Sequence, residues 1–234
     1  MLVTIHQPDL MPWLGFFNKI NNSDIWVILD HVKNNPRDSA FWGRRVKIMQ
    51  NGEGKWLSFP LKSPAQSGLI GIPINEMEYN INEQKIYLKS LQIIELNYKN
   101  APFFNEIYPI VKSFIFSNEI NMAKRNLNFI FQIMNLLGIK KNIIYSSELN
   151  CKLNSSELLI EIINKINGKE YLCGGGANGY QNDDLFLNAG INIKYNNFIH
   201  PVYNQLGSSQ FISGLSILDV IMNIGIAGTK KLLY

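Results

Sequence analysis

The three histidines, His6, His31 and His200, are the side chains in this sequence best suited to exchange protons near neutral pH. Each follows a predicted strand: the apolar run 2–5 before His6, the apolar run 25–29 with Asp30 before His31, and residues 191–198 before His200. Short runs rich in branched side chains read as buried strands. In an open parallel sheet, ligands settle just outside the carboxyl ends of the strands, where loops and helix amino ends converge. The three imidazoles are therefore candidate proton-transfer or ligand-orienting groups. His6, which opens His6-Gln7-Pro8 directly after the first run, is the foremost of them. Taken singly, each is equally a loop histidine whose ring nitrogens are satisfied locally.

Two further features point to an anionic ligand. Gly174-Gly175-Gly176-Ala177 stands between a strand signal and a helix signal, where bare amides and a helix dipole can receive a phosphate. A tight strand-to-helix turn explains three glycines as readily. Lys33, Arg37, Arg44, Arg45 and Lys47, with Trp42 among them, form the one basic cluster. Guanidinium groups clamp phosphate or carboxylate with paired hydrogen bonds, although a solvated basic loop has the same composition. Cys173 ends a strand signal beside the glycines and invites a nucleophile reading, but a buried strand cysteine accounts for it better. Asp219 lies in an apolar helical stretch, where an inward carboxylate needs a partner.

The elements that would position these groups alternate at both ends of the chain. Strand signals at 2–5 and 25–29 flank helical spacing over 12–21. Further strands at 143–145, 171–173 and 191–198 alternate with helices at 156–166 and 183–189. Between these ends come a hairpin, 46–49 and 56–61 around the turn 51–54, and three helices at 82–96, 103–116 and 119–137, the last closed by Gly138. Two helices near 215–223 and 226–233 finish the chain. The pattern predicts a single α/β domain over 1–234. Its sheet is doubly wound, mostly parallel and Rossmann-like, with a β-hairpin insertion and a helical subdomain at about 82–137.

Composition bounds the function classes. A 46% hydrophobic content supports a substantial core, and only 17% of residues are charged. A net charge of +4 is modest for a nucleic-acid partner, so none is expected. Two cysteines, Cys151 and Cys173, provide neither a disulfide scaffold nor metal-ligand spacing, and no metal is expected. No leader and no apolar stretch of spanning length are found, which predicts a cytoplasmic protein without a transmembrane segment.

Several words of the sequence then align with one family. They are Ile5-His6-Gln7-Pro8, Pro12-Trp13-Leu14-Gly15, Ser23-Asp24, Arg44 with Lys47-Ile48, and Trp56-Leu57 through Pro60. Later come Tyr171-Leu172-Cys173-Gly174 with Gly176 and Tyr180, and Phe186 through Gly190-Ile191. The last are His200-Pro201-Val202-Tyr203 with Gln205, and Ser216-Ile217-Leu218-Asp219 with Asn223 and Gly225. Over nearly its whole length the chain resembles WbqC-like proteins. Family members often carry serine in place of Cys173, which argues against an obligatory thiol nucleophile.

The resemblance implies a role in biosynthesis of bacterial O-antigen or a similar surface glycan. The reaction expected is transfer of an acyl or aminoacyl group to an amino sugar carried on a nucleotide or lipid. The expected catalytic set is His6, Gln7, His200 and Asp219. Gly174, Gly175, Gly176, Arg44, Arg45 and Lys47 would hold a cofactor phosphate. Trp13, Asp30, His31, Tyr180, Tyr203 and Gln205 would face a phosphorylated sugar substrate. The cofactor is undetermined between a nucleotide and a nucleotide sugar. A strand ending in histidine, then a helix and an apolar strand, also looks like the opening of nucleotidylyltransferases. Their His-x-Gly-His motif is absent, since Gln7-Pro8 follows His6, and ATP stays open. The alternative is a non-catalytic binding or scaffold subunit that associates with other glycan-biosynthesis proteins, docking through the aromatic stretches 13–17 and 103–104.

Overall fold

The chain starts with β1 (Leu2–His6), α1 (Leu14–Asn21) and β2 (Ile25–Ile28). Then follow β3 (Lys33–Asn34), β4 (Arg45–Gln50), β5 (Glu53–Ser58), β6 (Ile72–Pro73), α2 (Gln84–Tyr98), α3 (Phe104–Ile115) and α4 (Met122–Leu137). The last part comprises β7 (Asn142–Tyr145), α5 (Ser155–Lys165), β8 (Glu170–Gly174), α6 (Asp183–Asn188), β9 (Asn192–Asn196) and α7 (Ile217–Lys231). A computed structural model describes residues 1–63, 71–175 and 182–233, so the expected site residues Gly176 and Tyr180 lie outside the described residues. Two units emerge. The first contains residues 1–7, 15–31 and 140–199, and the second contains 8–14, 32–139 and 200–234.

The first unit is a five-stranded sheet in the order β7-β2-β1-β8-β9, with every neighbouring pair parallel and helices on both sides. Its core follows directly from the apolar runs. Val3, Thr4 and Ile5 of β1 are buried, as is every residue of β2. Helix α1 contributes Phe16, Phe17 and Ile20, and Phe16 meets the fully buried Trp26 edge-on at 5.6 Å between ring centroids. Burying a side chain of this size stabilises by about 1.5–3 kcal/mol. From β1 the chain builds outward through β2 to β7, then crosses back to place β8 and β9 on the other side of β1.

The second unit holds the hairpin and most of the helices. Strands β4 and β5 pair antiparallel around Asn51-Gly52, both with positive φ, as a two-residue turn of this hand requires. The helices expected as a subdomain at 82–137 belong to this larger unit. Asn121 caps α4 by accepting the Lys124 N–H, and Gly138 ends it at φ 75°.

Two predicted boundaries move, each for a visible reason. The helix expected from residue 12 begins at Leu14, because Trp13 bridges Ser216 and the Pro12 carbonyl accepts from Ile217 N–H. The two expected C-terminal helices are both present, taken together as α7 and separated by a kink at Gly225, whose φ of 71° and contact with Phe103 leave no room for a side chain. The strand expected over 191–198 ends at Asn196, where Asn197 and Phe198 N–H groups turn back to the Tyr195 and Asn196 carbonyls. His200 therefore lies four residues past the strand and belongs to the second unit.

Candidate functional site

At the centre of the first unit the sheet opens. β1 and β2 stay paired from Val3 to His6, and β8 and β9 from Glu170 to Gly174, but β1 and β8 pair only at Leu2–Glu170 and Val3–Tyr171. One residue further on, the Thr4 hydroxyl donates to the Leu172 carbonyl at 2.9 Å. The carboxyl ends of the two strands carry His6 and Gln7 on one side, and Gly174 and Gly175 on the other. Neither glycine has a positive φ. Among the described residues, a Cβ on Gly174 would meet nothing within 4 Å, and one on Gly175 would meet Asn196 and Asn197 oxygens at 3.9 Å. Among the described residues, then, neither backbone conformation nor packing demands glycine there.

His6 sits edge-on to Phe16 at 4.8 Å, and its Nδ1 lies 3.0 Å from the Gln7 carbonyl oxygen. A carbonyl only accepts, so Nδ1 carries the hydrogen and Nε2 the lone pair. Burial, with the nearby Lys19 charge as a second cause, lowers its pKa to about 3, while the Gln7 hydrogen bond acts the other way. The ring is thus neutral at physiological pH, and so low a basicity suits it to accept a hydrogen bond rather than to carry a proton away. Lys19 itself is buried, with Nζ 3.5 Å from the Ile5 carbonyl. Its side chain runs back along α1 toward the strand's carboxyl end, as helical side chains do.

The helix after the glycines offers less to an anion than expected. α6 has only six residues and opens with Asp183 and Asp184, whose charges oppose a phosphate. Cys173 is buried, and its thiol faces the Lys194 carbonyl at 3.5 Å.

A second polar group lies at the ends of β2 and β7. The buried Asp30 carboxylate accepts from Ser146 Oγ (3.0 Å), Ser147 N–H (2.9 Å) and Ser147 Oγ (2.7 Å). Ser146 Oγ also lies 3.1 Å from the Asp30 N–H nitrogen and 2.6 Å from His31 Nδ1. Burial, then the charges of Asp30 and Glu148, push the neighbouring Tyr145 hydroxyl upward.

The remaining expected residues gather in the second unit. His200 stacks near Trp13 at 6.1 Å and packs against Tyr203 and Phe211 at 6.0 and 5.3 Å, with Nδ1–H donating to the Pro201 carbonyl. Burial lowers its pKa. Asp219 is fully buried in the same unit and accepts from the Tyr203 hydroxyl at 2.6 Å and from Gln205 Nε2 at 2.9 Å. Burial raises its pKa, against the hydrogen bonds from Tyr203, Tyr98 and Gln205. In the basic cluster, Arg44 donates to the Phe59 and Pro36 carbonyls, and Arg45 lies 4.0 Å over the Trp56 ring. Lys47 is half-buried on β4. The aromatic docking surface expected at 13–17 and 103–104 is not available as such, because Phe16, Phe17 and Phe104 are buried.

The WbqC-like protein family model matches residues 7–231. The chain belongs to the WbqC-like protein family. A curated relative, the uncharacterized protein Rv1507c of Mycobacterium tuberculosis, is 25% identical over 235 residues, covering 99% of this chain and 97% of the relative. Among solved structures, a Zn(II)-bound histidine-to-leucine mutant of Streptococcus pneumoniae AdcAII is similar at 14% identity. It covers 100% of this chain and 98% of its own, but its TM-score of 0.21 carries no argument about fold.

Within this WbqC-like chain the expected residues divide between the two units. His6, Gln7, Gly174 and Gly175 mark the parted strands, Asp30 and His31 join Ser146, and Trp13, His200, Tyr203, Gln205 and Asp219 share the second unit with the basic cluster. Sequence reasoning missed Lys19, which helical spacing hides as an ordinary last-turn lysine. It also missed the roles of Ser146 and Ser147, which no local pattern connects to Asp30 across 116 and 117 residues.

Proposed function

We propose that the protein is a transferase of bacterial O-antigen or related surface-glycan biosynthesis, acylating or aminoacylating an amino sugar carried on a nucleotide or lipid. The observation that supports this most is the parting of β1 from β8 beyond Val3 and Tyr171, with bare glycine backbone on one lip and a neutral imidazole on the other. The strand order reverses at this point. A doubly wound, Rossmann-like sheet receives its ligand in the crevice at such a reversal. In this reading Gly174 and Gly175 admit the phosphate or sugar close to the backbone, His6 stands at the end of the neighbouring strand, and the protein works in the cytoplasm. Membership of the WbqC-like family supplies the glycan context.

Thermal unfolding with added nucleotides, nucleotide-linked amino sugars and free amino sugars tests the reading. A ligand at about 100 times its Kd adds roughly 2.7 kcal/mol, a rise of several degrees for a chain of this size. The Gly174→Val variant, whose Cβ meets no described atom, is expected to keep the fold and lose the response. Absence of stabilisation by all three ligand classes, together with a normal surface glycan in a strain carrying Gly174→Val, would defeat the proposal.

A further inference from the structure

Ser146 Oγ has one hydrogen to give and two lone pairs. The Asp30 backbone N–H takes one lone pair, leaving the hydroxyl hydrogen to choose between the Asp30 carboxylate at 3.0 Å and His31 Nδ1 at 2.6 Å. A charged acceptor forms the stronger bond, so the hydrogen goes to Asp30 Oδ1. His31 Nδ1–H then donates to the second lone pair, and every hydrogen-bonding capacity of the hydroxyl is filled. Nε2 is left with its lone pair, and among the described residues no hydrogen bond engages it. Asp30 is 5% exposed, and no Lys or Arg among the described residues pairs with it.

We propose that Asp30, Ser146 and His31 form a hydrogen-bonded relay that presents His31 Nε2 as the proton acceptor for a substrate amine or hydroxyl at the ends of β2 and β7. The inference deepens the transferase reading and rests on it for the nature of the substrate. In the step, an N–H or O–H bond of the substrate breaks, the proton bonds to Nε2, and the electron pair stays on the substrate nitrogen or oxygen. The imidazolium so formed keeps its Nδ1–H on Ser146 Oγ, whose own hydrogen keeps its bond to Asp30, so no other proton has to move. Ser146 and Asp30 are positioning residues. Ser146 is completely buried and is not itself a nucleophile. Glu148 and Tyr145 are the other titratable groups placed at this end of β7, and Tyr145 responds to both Asp30 and Glu148.

Nitrogen-15 NMR of histidine-labelled full-length protein tests the relay without any ligand. With three histidines in the chain, His31→Asn assigns the signal. At about pH 8, where an ordinary imidazole is neutral, His31 is expected to carry its hydrogen on Nδ1. Ser146→Ala is expected to move it toward Nε2, and Ser146→Thr to keep it on Nδ1. An Nε2–H ring in the unmodified protein, or a ring indifferent to Ser146→Ala, overturns the relay. In a strain that depends on this protein for its surface glycan, His31→Asn is expected to slow glycan assembly by about 100-fold or more, with Ser146→Thr near normal. The expected tautomer with normal assembly in His31→Asn overturns the proton-acceptor role, while the ligand response lost in Gly174→Val reports separately on the transferase reading.

Discussion

Asp30 and Asp219 are both buried carboxylates that accept from hydroxyl groups, one in each unit, yet their networks end differently. Around Asp219 every outer member closes onto the chain. Gln205 bonds both the N–H and the carbonyl of Ile212, Asn223 bonds the Leu206 N–H and the Asp219 carbonyl, and Tyr203 terminates on the carboxylate. The network fastens the stretch 203–212 to α7. Around Asp30 the outermost member is His31, which is half-buried and holds only one of its ring nitrogens on Ser146. Similar chemistry thus makes a clamp in one place and a presented base in the other. The discriminating feature is whether the last group in the chain of hydrogen bonds closes onto backbone or, among the described residues, leaves a ring nitrogen without a hydrogen bond.

Removing the acceptor of the closed network should produce the largest effect. Asp219→Ala leaves the Tyr203 hydroxyl buried without its acceptor and removes one partner of Gln205. The expected loss is about 3 kcal/mol by urea titration, with Tyr203→Phe losing about 1 kcal/mol. A loss below about 1 kcal/mol for Asp219→Ala would mean that this network is not the clamp described, and the contrast with Asp30 would collapse.

Acid titration sharpens the comparison next, because the two units carry buried groups of opposite sign. His6 has its pKa lowered from 6.5 to about 3, so the unfolded chain binds that proton more strongly. Its contribution is fully present above about pH 6.5 and falls as pH drops toward 3, by no more than about 1.4 kcal/mol per pH unit. Asp219 is raised by burial, so the folded state holds that proton more strongly and stability gains as pH falls through its folded pKa. Between about pH 6 and 4, His6→Gln should flatten the loss of stability, and Asp219→Asn should remove the gain that accompanies protonation of that carboxyl. Parallel curves for His6→Gln and the unmodified protein would show that the ring is not held neutral.

Most of the sheet was legible because its strands are continuous apolar runs: residues 2–5, 25–29 and 171–173 all reappear within one unit as β1, β2 and β8. The hairpin was equally plain from Asn51-Gly52. His200 was misplaced because apolar residues continue past Asn196 while the backbone turns away from the ladder at Asn197, and composition does not register that turn. The strand order, with β7 beside β2, and the Asp30–Ser146 bond both depend on closure over more than a hundred intervening residues. Spacing along the chain carries no trace of such contacts. Conversely, Tyr203, Gln205 and Asp219, all named from the family's motifs, are hydrogen-bonded to one another in the structure.

The smallest effect belongs to His31, and its smallness is informative. A group held at one nitrogen and half-exposed contributes little to folding, so His31→Asn is expected to change stability by less than about 0.5 kcal/mol. Ser146→Ala strips the Asp30 carboxylate and the Asp30 N–H of a buried partner and should lose about 1–2 kcal/mol. The order matters more than either value, since a relay built to present an imidazole is stabilised at its inner members and not at its tip. If His31→Asn proved as damaging as Ser146→Ala, the ring would be a structural plug like its counterparts around Asp219. An intact fold with an idle glycan pathway in the same variant would instead place the role of His31 in chemistry alone.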